Sequence, residues 1–266
     1  MIRSFSLSRI ALLTASLSLL AVTACGAPAE DEEVAASTSD LSGTLSATEL
    51  AATKASLRRI ANANMSRTDN FDEVRAEVEP LVAKLAKHFG KQSAAKKLPL
   101  VEGAWHQLWS DFPYPMTSFI SMDPKQIYQV VNADGHYWNI GDQKAIGLFG
   151  LTGVLRGAFV PNGTKIDLQF TNVGFRFGRL NKKTNLEELA NGLESGDDYY
   201  TGIPGGGKAP NGPINIKGTL ETLYVDADLR VDQGTQEDFL DKNGDVAVSG
   251  YGPKFFILDR VITPAK

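Results

Sequence analysis

The sequence predicts an α+β protein, a helical pair followed by an antiparallel β-domain, and three observations carry that reading. Apolar residues recur at helical spacing between residues 48 and 89. After Pro99 the texture changes to short segments rich in Val, Ile, Phe, Tyr and Trp, punctuated by Gly, Asn and Pro. The chain has 266 residues, 42% of them hydrophobic and 22% charged, which suits one globular domain of ordinary core size plus tails. Many short antiparallel strands at this spacing argue a sandwich or a closed barrel.

The first segment, 1–24, reads as an export signal. Arg3 and Arg9 stand without an acid, an apolar run extends from Ile10 to Val22, and Val22-Thr23-Ala24-Cys25-Gly26 follows. The run is short and Ser/Thr-rich for a permanent span of a bilayer core about 30 Å thick. This segment resembles a lipobox, in which Cys25 receives a diacylglycerol thioether and becomes the first residue after cleavage. The alternative is an ordinary secretory signal with a Cys at that place. Cys25 is the only cysteine, and an unpaired thiol in an exported protein calls for an explanation that lipid attachment supplies. At about 0.8 kcal/mol per buried methylene, two or more acyl chains anchor firmly. Gly26 follows the Cys where an Asp would suggest inner-membrane retention, so the expected location is the outer membrane of the bacterial envelope. No later stretch is long and apolar enough to cross a membrane.

Residues 25–46 are small, acidic and polar, a flexible tether that cannot bury enough surface to offset its ordering entropy. A helical lead-in is expected over 47–98. Leu50, Ala51, Leu57, Ile60 and Ala61 form the first stripe, with Thr48 as cap. Thr68-Asp69 opens the second, in which Val74, Val78, Leu81, Val82, Leu85 and Phe89 share a face. Acids near its start, basic residues near its end and Gly90 as a stop agree with helix polarity, while Pro80 predicts a kink or break. The barrel domain is expected over 99–266. Its elements are Trp105 to Trp109, a hairpin of 126–131 and 136–140, a second hairpin turning at Pro161-Asn162-Gly163, Phe175 to Phe177, a short helix over 186–193, and strands over 214–225 and 255–262. A Gly/Pro-rich loop spans 196–213.

Net charge is −4, and removal of Arg3 and Arg9 with the signal makes it −6. No basic stripe exists, which excludes nucleic acid as an expected partner. Without cysteine pairs the core alone must hold the fold.

Several segments resemble the plastid lipid-associated protein, or fibrillin, family, whose fold is lipocalin-like. Val74-Arg-Ala-Glu-Val-Glu-Pro-Leu-Val-Ala-Lys-Leu85 is similar to that family's N-terminal helix. Val101-Glu-Gly-Ala-Trp-His-Gln-Leu-Trp109 resembles its first strand, and Tyr128-Gln-Val-Val-Asn132 its second. Tyr224-Val-Asp-Ala-Asp-Leu-Arg-Val231 and the later Phe255-Phe-Ile-Leu-Asp-Arg260 complete the ordered set. Two places depart from the family pattern: Gln233 stands where an Arg is usual, and 234–254 is longer than the usual turn. The resemblance implies a lipocalin-like antiparallel barrel that holds an apolar small molecule such as a lipid, isoprenoid or quinone, with no cofactor and no catalysis. It also implies the cavity or closure set Trp105, Trp109, Gln129, Leu168, Phe170, Phe175, Tyr224, Arg230 and Phe256. Within that set Trp105 should pack across the closed end with Arg230 or Arg260 over its face, a structural role being the preferred reading for Trp105 and Arg230, and Phe170, Phe175, Tyr224 and Phe256 read more readily as core than as pocket. The alternative function is a structural or interaction lipoprotein with a solid barrel, whose loops over 196–213 and 234–254 meet an envelope partner.

Other motifs fail on chemistry. Gly202 to Ala209 nearly spells a phosphate loop, but Ala209 replaces the magnesium-binding hydroxyl and Pro210 blocks a following helix. Asp241-Lys-Asn-Gly-Asp245 has alternating oxygen ligands, yet Val246 and Gly252 stand where a calcium loop needs Gly and Glu, so a polar hairpin turn is expected. His88, His106 and His136 have no zinc spacing. Asp226 and Asp228, beside Arg230, read as a salt-bridged strand end in preference to an acid pair.

Overall fold

The computed structural model describes residues 44–65, 69–112, 120–145, 149–181, 183–195, 216–240 and 243–262. Cys25, the signal, most of the tether, the loop over 196–213 and the near phosphate-loop within it lie outside the described residues.

Three helices come first. Helix α1 is Ala47–Asn64, and its cap is Ser46 rather than Thr48. The Ser46 hydroxyl accepts from the Glu49 amide while the Glu49 carboxylate accepts from the Ser46 amide, a reciprocal capping box. Helix α2 is Phe71–Phe89, and Asn70 at its start makes no side-chain cap bond. Pro80 sits inside one continuous helix on its exposed side, so the expected break does not occur there. Gly90 ends the helix with φ 72° and donates its amide to the Ala86 carbonyl. Helix α3, Ala94–Val101, was not anticipated: its Pro99 reads as a strand boundary in sequence, yet the helix runs two residues beyond it.

Eight strands close the barrel: β1 (Gly103–Ser110), β2 (Ile120–Val131), β3 (His136–Ala145), β4 (Phe149–Asn162), β5 (Lys165–Phe177), β6 (Ile216–Val225), β7 (Leu229–Gln236) and, after the small hairpin of β8 (Phe239–Leu240) and β9 (Val246–Val248), β10 (Tyr251–Arg260). Every neighbouring pair is antiparallel, in the order β1-β10-β7-β6-β5-β4-β3-β2, and β2 returns to β1. Helix α4, Leu186–Ser195, lies between β5 and β6 in sequence. This is the α+β, lipocalin-like architecture that the motifs imply. The segment 234–254, expected as a loop, is largely strand: it holds the end of β7, the β8–β9 hairpin and the start of β10.

The barrel wall is covered from outside in two places. Leu57, Ile60 and Ala61 of α1 and Val74, Val78, Val82 and Leu85 of α2 pack on Leu229, Val231, Phe255 and Ile257. Ala190, Leu186 and Leu193 of α4 pack on Ala104, Val130, Trp138, Ile140 and Val154. With one apolar face of β7 and β10 given to the helices, the alternate residues Arg230, Asp232, Phe256 and Leu258 must face the lumen. Helix α3 plugs one end, its Ala94 amide donating to Gly163 in the β4–β5 turn and its Leu98 and Val101 packing against the lumen cluster.

Candidate functional site

The lumen floor is built around Trp105, which has no solvent exposure. Its indole N–H donates to the Val101 carbonyl at 2.7 Å, fastening the strand to the end of α3. Two guanidinium groups lie over the ring, with Arg260 at 4.1 Å and Arg230 at 5.0 Å from the centroid. Each such contact contributes about 0.5–2 kcal/mol depending on how dry it is. Arg260 donates to the carbonyls of Leu100, Glu102 and Ala227, tying α3, β1 and the β6–β7 turn together at the rim. Burial, and then the charge of Arg230, lower the Arg260 pKa from its ordinary value. Closure of this end thus uses both arginines where the sequence reading names one or the other.

Further into the lumen, Arg230 donates to the Gln129 side-chain oxygen, and its Nε stands 2.8 Å from Asp232 Oδ2. Arg230 and Asp232 are both fully buried. Burial pushes the Asp232 carboxyl up from the usual carboxylate range, against the pull of Arg230. Lys97 enters from α3, 4% exposed, donating to the carbonyls of Thr222 at 2.7 Å and Thr164 at 3.2 Å. Burial lowers its pKa. A cavity of about 20 Å³ remains between α3 and the wall, lined by Lys97, Leu98, Tyr137, Ile166, Leu220 and Thr222, room for roughly one water.

The expected set divides cleanly. Trp105, Gln129, Leu168, Phe170, Arg230 and Phe256 face the lumen together. Phe175 of β5 pairs with Gly153 of β4, and its side chain is outside the described residues. Trp109 and Tyr224 do not belong to the cavity and correct that expectation. Strict alternation from Trp105 and from Thr222 points both inward, but the register slips between Gln107 and Trp109 and again between Thr222 and Tyr224. Each irregularity turns the residue after it to the other face, under α1 and α2. Tyr224 there packs edge-on against Phe89 with centroids 5.7 Å apart, and its hydroxyl donates to Asp226.

Asp226 and Asp228 lie in the turn between β6 and β7, outside the barrel. Their partners are Lys54 and Arg58 of α1, at 2.6 Å and 2.5 Å from Lys54 and 3.3 Å from Arg58, and not Arg230. They are the salt-bridged strand end of the sequence reading with the cation supplied by a helix. The histidines are scattered as their spacing predicts: His88 accepts from the Leu45 amide, His106 contacts the Lys125 carbonyl, and His136 sits between Asp134 and Glu194. No group of three metal-ligating side chains gathers among the described residues.

Sequence reasoning missed Asp232, Lys97 and Thr222. A signal for the first existed: Arg230-Val231-Asp232 puts two charges on one strand face, which ordinarily means solvent, but Leu229 and Val231 had to be claimed by the helices before that face was forced inward.

A family model, PAP_fibrillin, matches residues 54–240. The chain belongs to the PAP/fibrillin family of plastid lipid-associated proteins. That match runs from α1 through β8 and contains most of the lumen floor. No curated protein matches the chain. The PAP/fibrillin barrel of this chain is therefore that of a lipid-associated family.

Proposed function

We propose that this PAP/fibrillin protein is a membrane-tethered carrier for a hydrophobic small molecule, a lipid, isoprenoid or quinone, and that it works by binding without catalysis. The observation that carries the reading is a closed eight-stranded barrel of a lipid-associated family, with apolar lumen walls from Leu168, Phe170, Phe256 and Leu258. A barrel of eight strands has an interior suited to one small ligand when inward side chains leave space. The lipobox-like Val22 to Gly26 supports attachment through Cys25 to the bacterial envelope, with the outer membrane as the site. None of the described helices is long and apolar enough to cross a membrane.

A second reading, a structural lipoprotein with a solid barrel, is favoured by the closed end, where the cavity of about 20 Å³ holds no more than roughly one water. Native mass spectrometry with organic extraction, on full-length protein purified from the source envelope, separates the two. A stoichiometric apolar ligand supports the carrier. An empty, folded protein whose melting temperature no lipid or isoprenoid shifts overturns it in favour of the solid barrel. Cys25→Ser should release the protein from the membrane fraction, and retention there would sink the tether.

A further inference from the structure

Charge is segregated along this chain in a way that its net value hides. Between Pro80 and Val101 stand five lysines and no acid, while between Cys25 and Lys54 stand six acids and no base. The fold gathers the lysines in one place. Lys97 turns into the lumen, but Lys84, Lys87, Lys91 and Lys96 stay exposed around the end of α2 and the start of α3. Lys84, Lys91 and Lys96 have no carboxylate partner among the described residues. Glu49 of α1 feels the charge of Lys84, but its carboxylate is bonded to Ser46. The cations of α1 differ, because Lys54 and Arg58 are matched by Asp226, Asp228 and Asp259. Helix polarity accounts for Lys87 in the last turn of α2 and not for Lys96 in the first turn of α3, where a cation is disfavoured. The acidic part of the chain enters at this same spot. The Leu45 amide donates to Nδ1 of His88, which stands between Lys87 and Lys91, at 3.1 Å.

We propose that Glu30-Asp31-Glu32-Glu33 docks on the face formed by Lys84, Lys91 and Lys96. Charge complementarity and reach favour this occupant over an anionic bilayer. Residue 33 lies twelve residues from Leu45, a span of at most about 40 Å. A segment joined to its site meets it at an effective concentration in the millimolar range. The charges on both sides stay in water, so the contact is made and lost with salt. The docking needs no lipid on Cys25, but its consequence rests on the membrane-tether reading. Cys25 is twenty residues from Leu45, a leash of up to about 70 Å, and only five from Glu30, about 18 Å. Docking therefore shortens the leash, turns the α3-plugged end of the barrel toward the membrane and points the opposite end away from it.

The test is cleavage of the full chain, extracted from the envelope in a neutral detergent, by an endopeptidase that cuts after Glu30, Glu32 and Glu33, with the products read by mass. The docked segment is protected, so the rate follows the undocked fraction. At about 0.02 M salt, Lys84→Glu, Lys91→Glu and Lys96→Glu together should speed this cleavage about fivefold; at about 0.5 M salt the two proteins should be cut alike. The same reversal at Lys125 and Lys183, exposed elsewhere, should change nothing. Equal rates at low salt, or the same acceleration from the control reversal, would overturn the docking. So would a lysine face that binds phosphatidylglycerol vesicles while the wild-type segment is cut as fast as the reversed one, since an anionic bilayer would then be its occupant. Should the reversal prevent folding, glutamine at the same three positions is read instead, with about threefold expected. A released N-terminal piece without acyl mass would sink the tether reading, and the rates would still decide the docking.

Discussion

Asp111 is the most exposed weakness in the joint between the helical lead-in and the barrel. Its side chain is 2% exposed, one oxygen accepting from the Phe255 amide at 2.6 Å and the other from Arg75 of α2 at 2.6 Å. Arg75 in turn lies 4.8 Å from the Phe255 ring centroid and donates to the Pro253 carbonyl. Asp111→Ala would remove both acceptors at once. The buried amide left without a partner costs about 1–3 kcal/mol, and loss of the charge-assisted bond to Arg75 adds about 1.5 kcal/mol. A total of about 2.5–4.5 kcal/mol is expected, overlapping the range for breaking one side of a buried pair. Asp111→Asn keeps an acceptor for Phe255, and Arg75, at 27% side-chain exposure, can turn to water, so its cost should be about 1–1.5 kcal/mol. Urea denaturation of both variants, with m unchanged and the midpoint shifted, reads the difference. Equal losses in the two variants, or an alanine variant within 1 kcal/mol of wild type, would refute the assignment of the amide bond as the larger part.

Two further outcomes follow from other elements. Pro80 lies on the exposed side of α2 and denies the helix one backbone bond, so Pro80→Ala should raise stability by about 1–3 kcal/mol, read as a higher Tm; a lower Tm would mean that the ring serves the packing. Burial alone would raise the Asp226 carboxyl, but hydrogen bonds from Asp228, Lys54 and Tyr224 outweigh it and hold it well below the usual carboxylate range. A depressed folded pKa contributes stability above the ordinary value and loses it as pH falls, so wild type should weaken from about pH 4 downward, and Asp226→Asn, already weakened at neutral pH, should show a shallower decline.

Legibility in the sequence followed the range of the forces involved. Helices α1, α2 and α4 and the two hairpins of β2–β3 and β4–β5 were readable because their signals are local: caps, stripes, and turns at Gly135 and Gly163 with φ 90° and 59°. The break between β6 and β7 was harder. Tyr224 to Val231 reads as one motif, and only the tertiary clamp of Lys54 on Asp226 and Asp228 marks the turn inside it. Helix α3 was hidden because Pro99 and the following Leu-Val look like a strand entry, whereas its docking on Gly163 and the lumen supplies what local propensity does not. At the candidate site, Trp105 and Arg230 were legible through the family motifs. Trp109 and Tyr224 were misplaced because a one-residue slip in register leaves no mark in composition, yet it exchanges the two faces of a strand. Lys97 and Asp232 were illegible for a related reason: a charge in the sequence looks solvated until the fold covers its other side.

The ring closes between its first and last strands, with Trp105 opposite Arg260 and Ser110 opposite Phe256. That pairing is among the longest-range in the chain, and chain closure of this kind is slow because loop entropy must be met before the contact rewards it. Until residues 251–260 are available, β1 and β7 are both open edges with unpaired amides, templates for a second unfinished copy. The closing strand also lies beyond residue 240, where the PAP/fibrillin match stops. Loss of residues 251–260 would therefore leave the whole matched stretch intact in sequence and yet keep the ring open, with two unpaired edges that make the domain aggregation-prone.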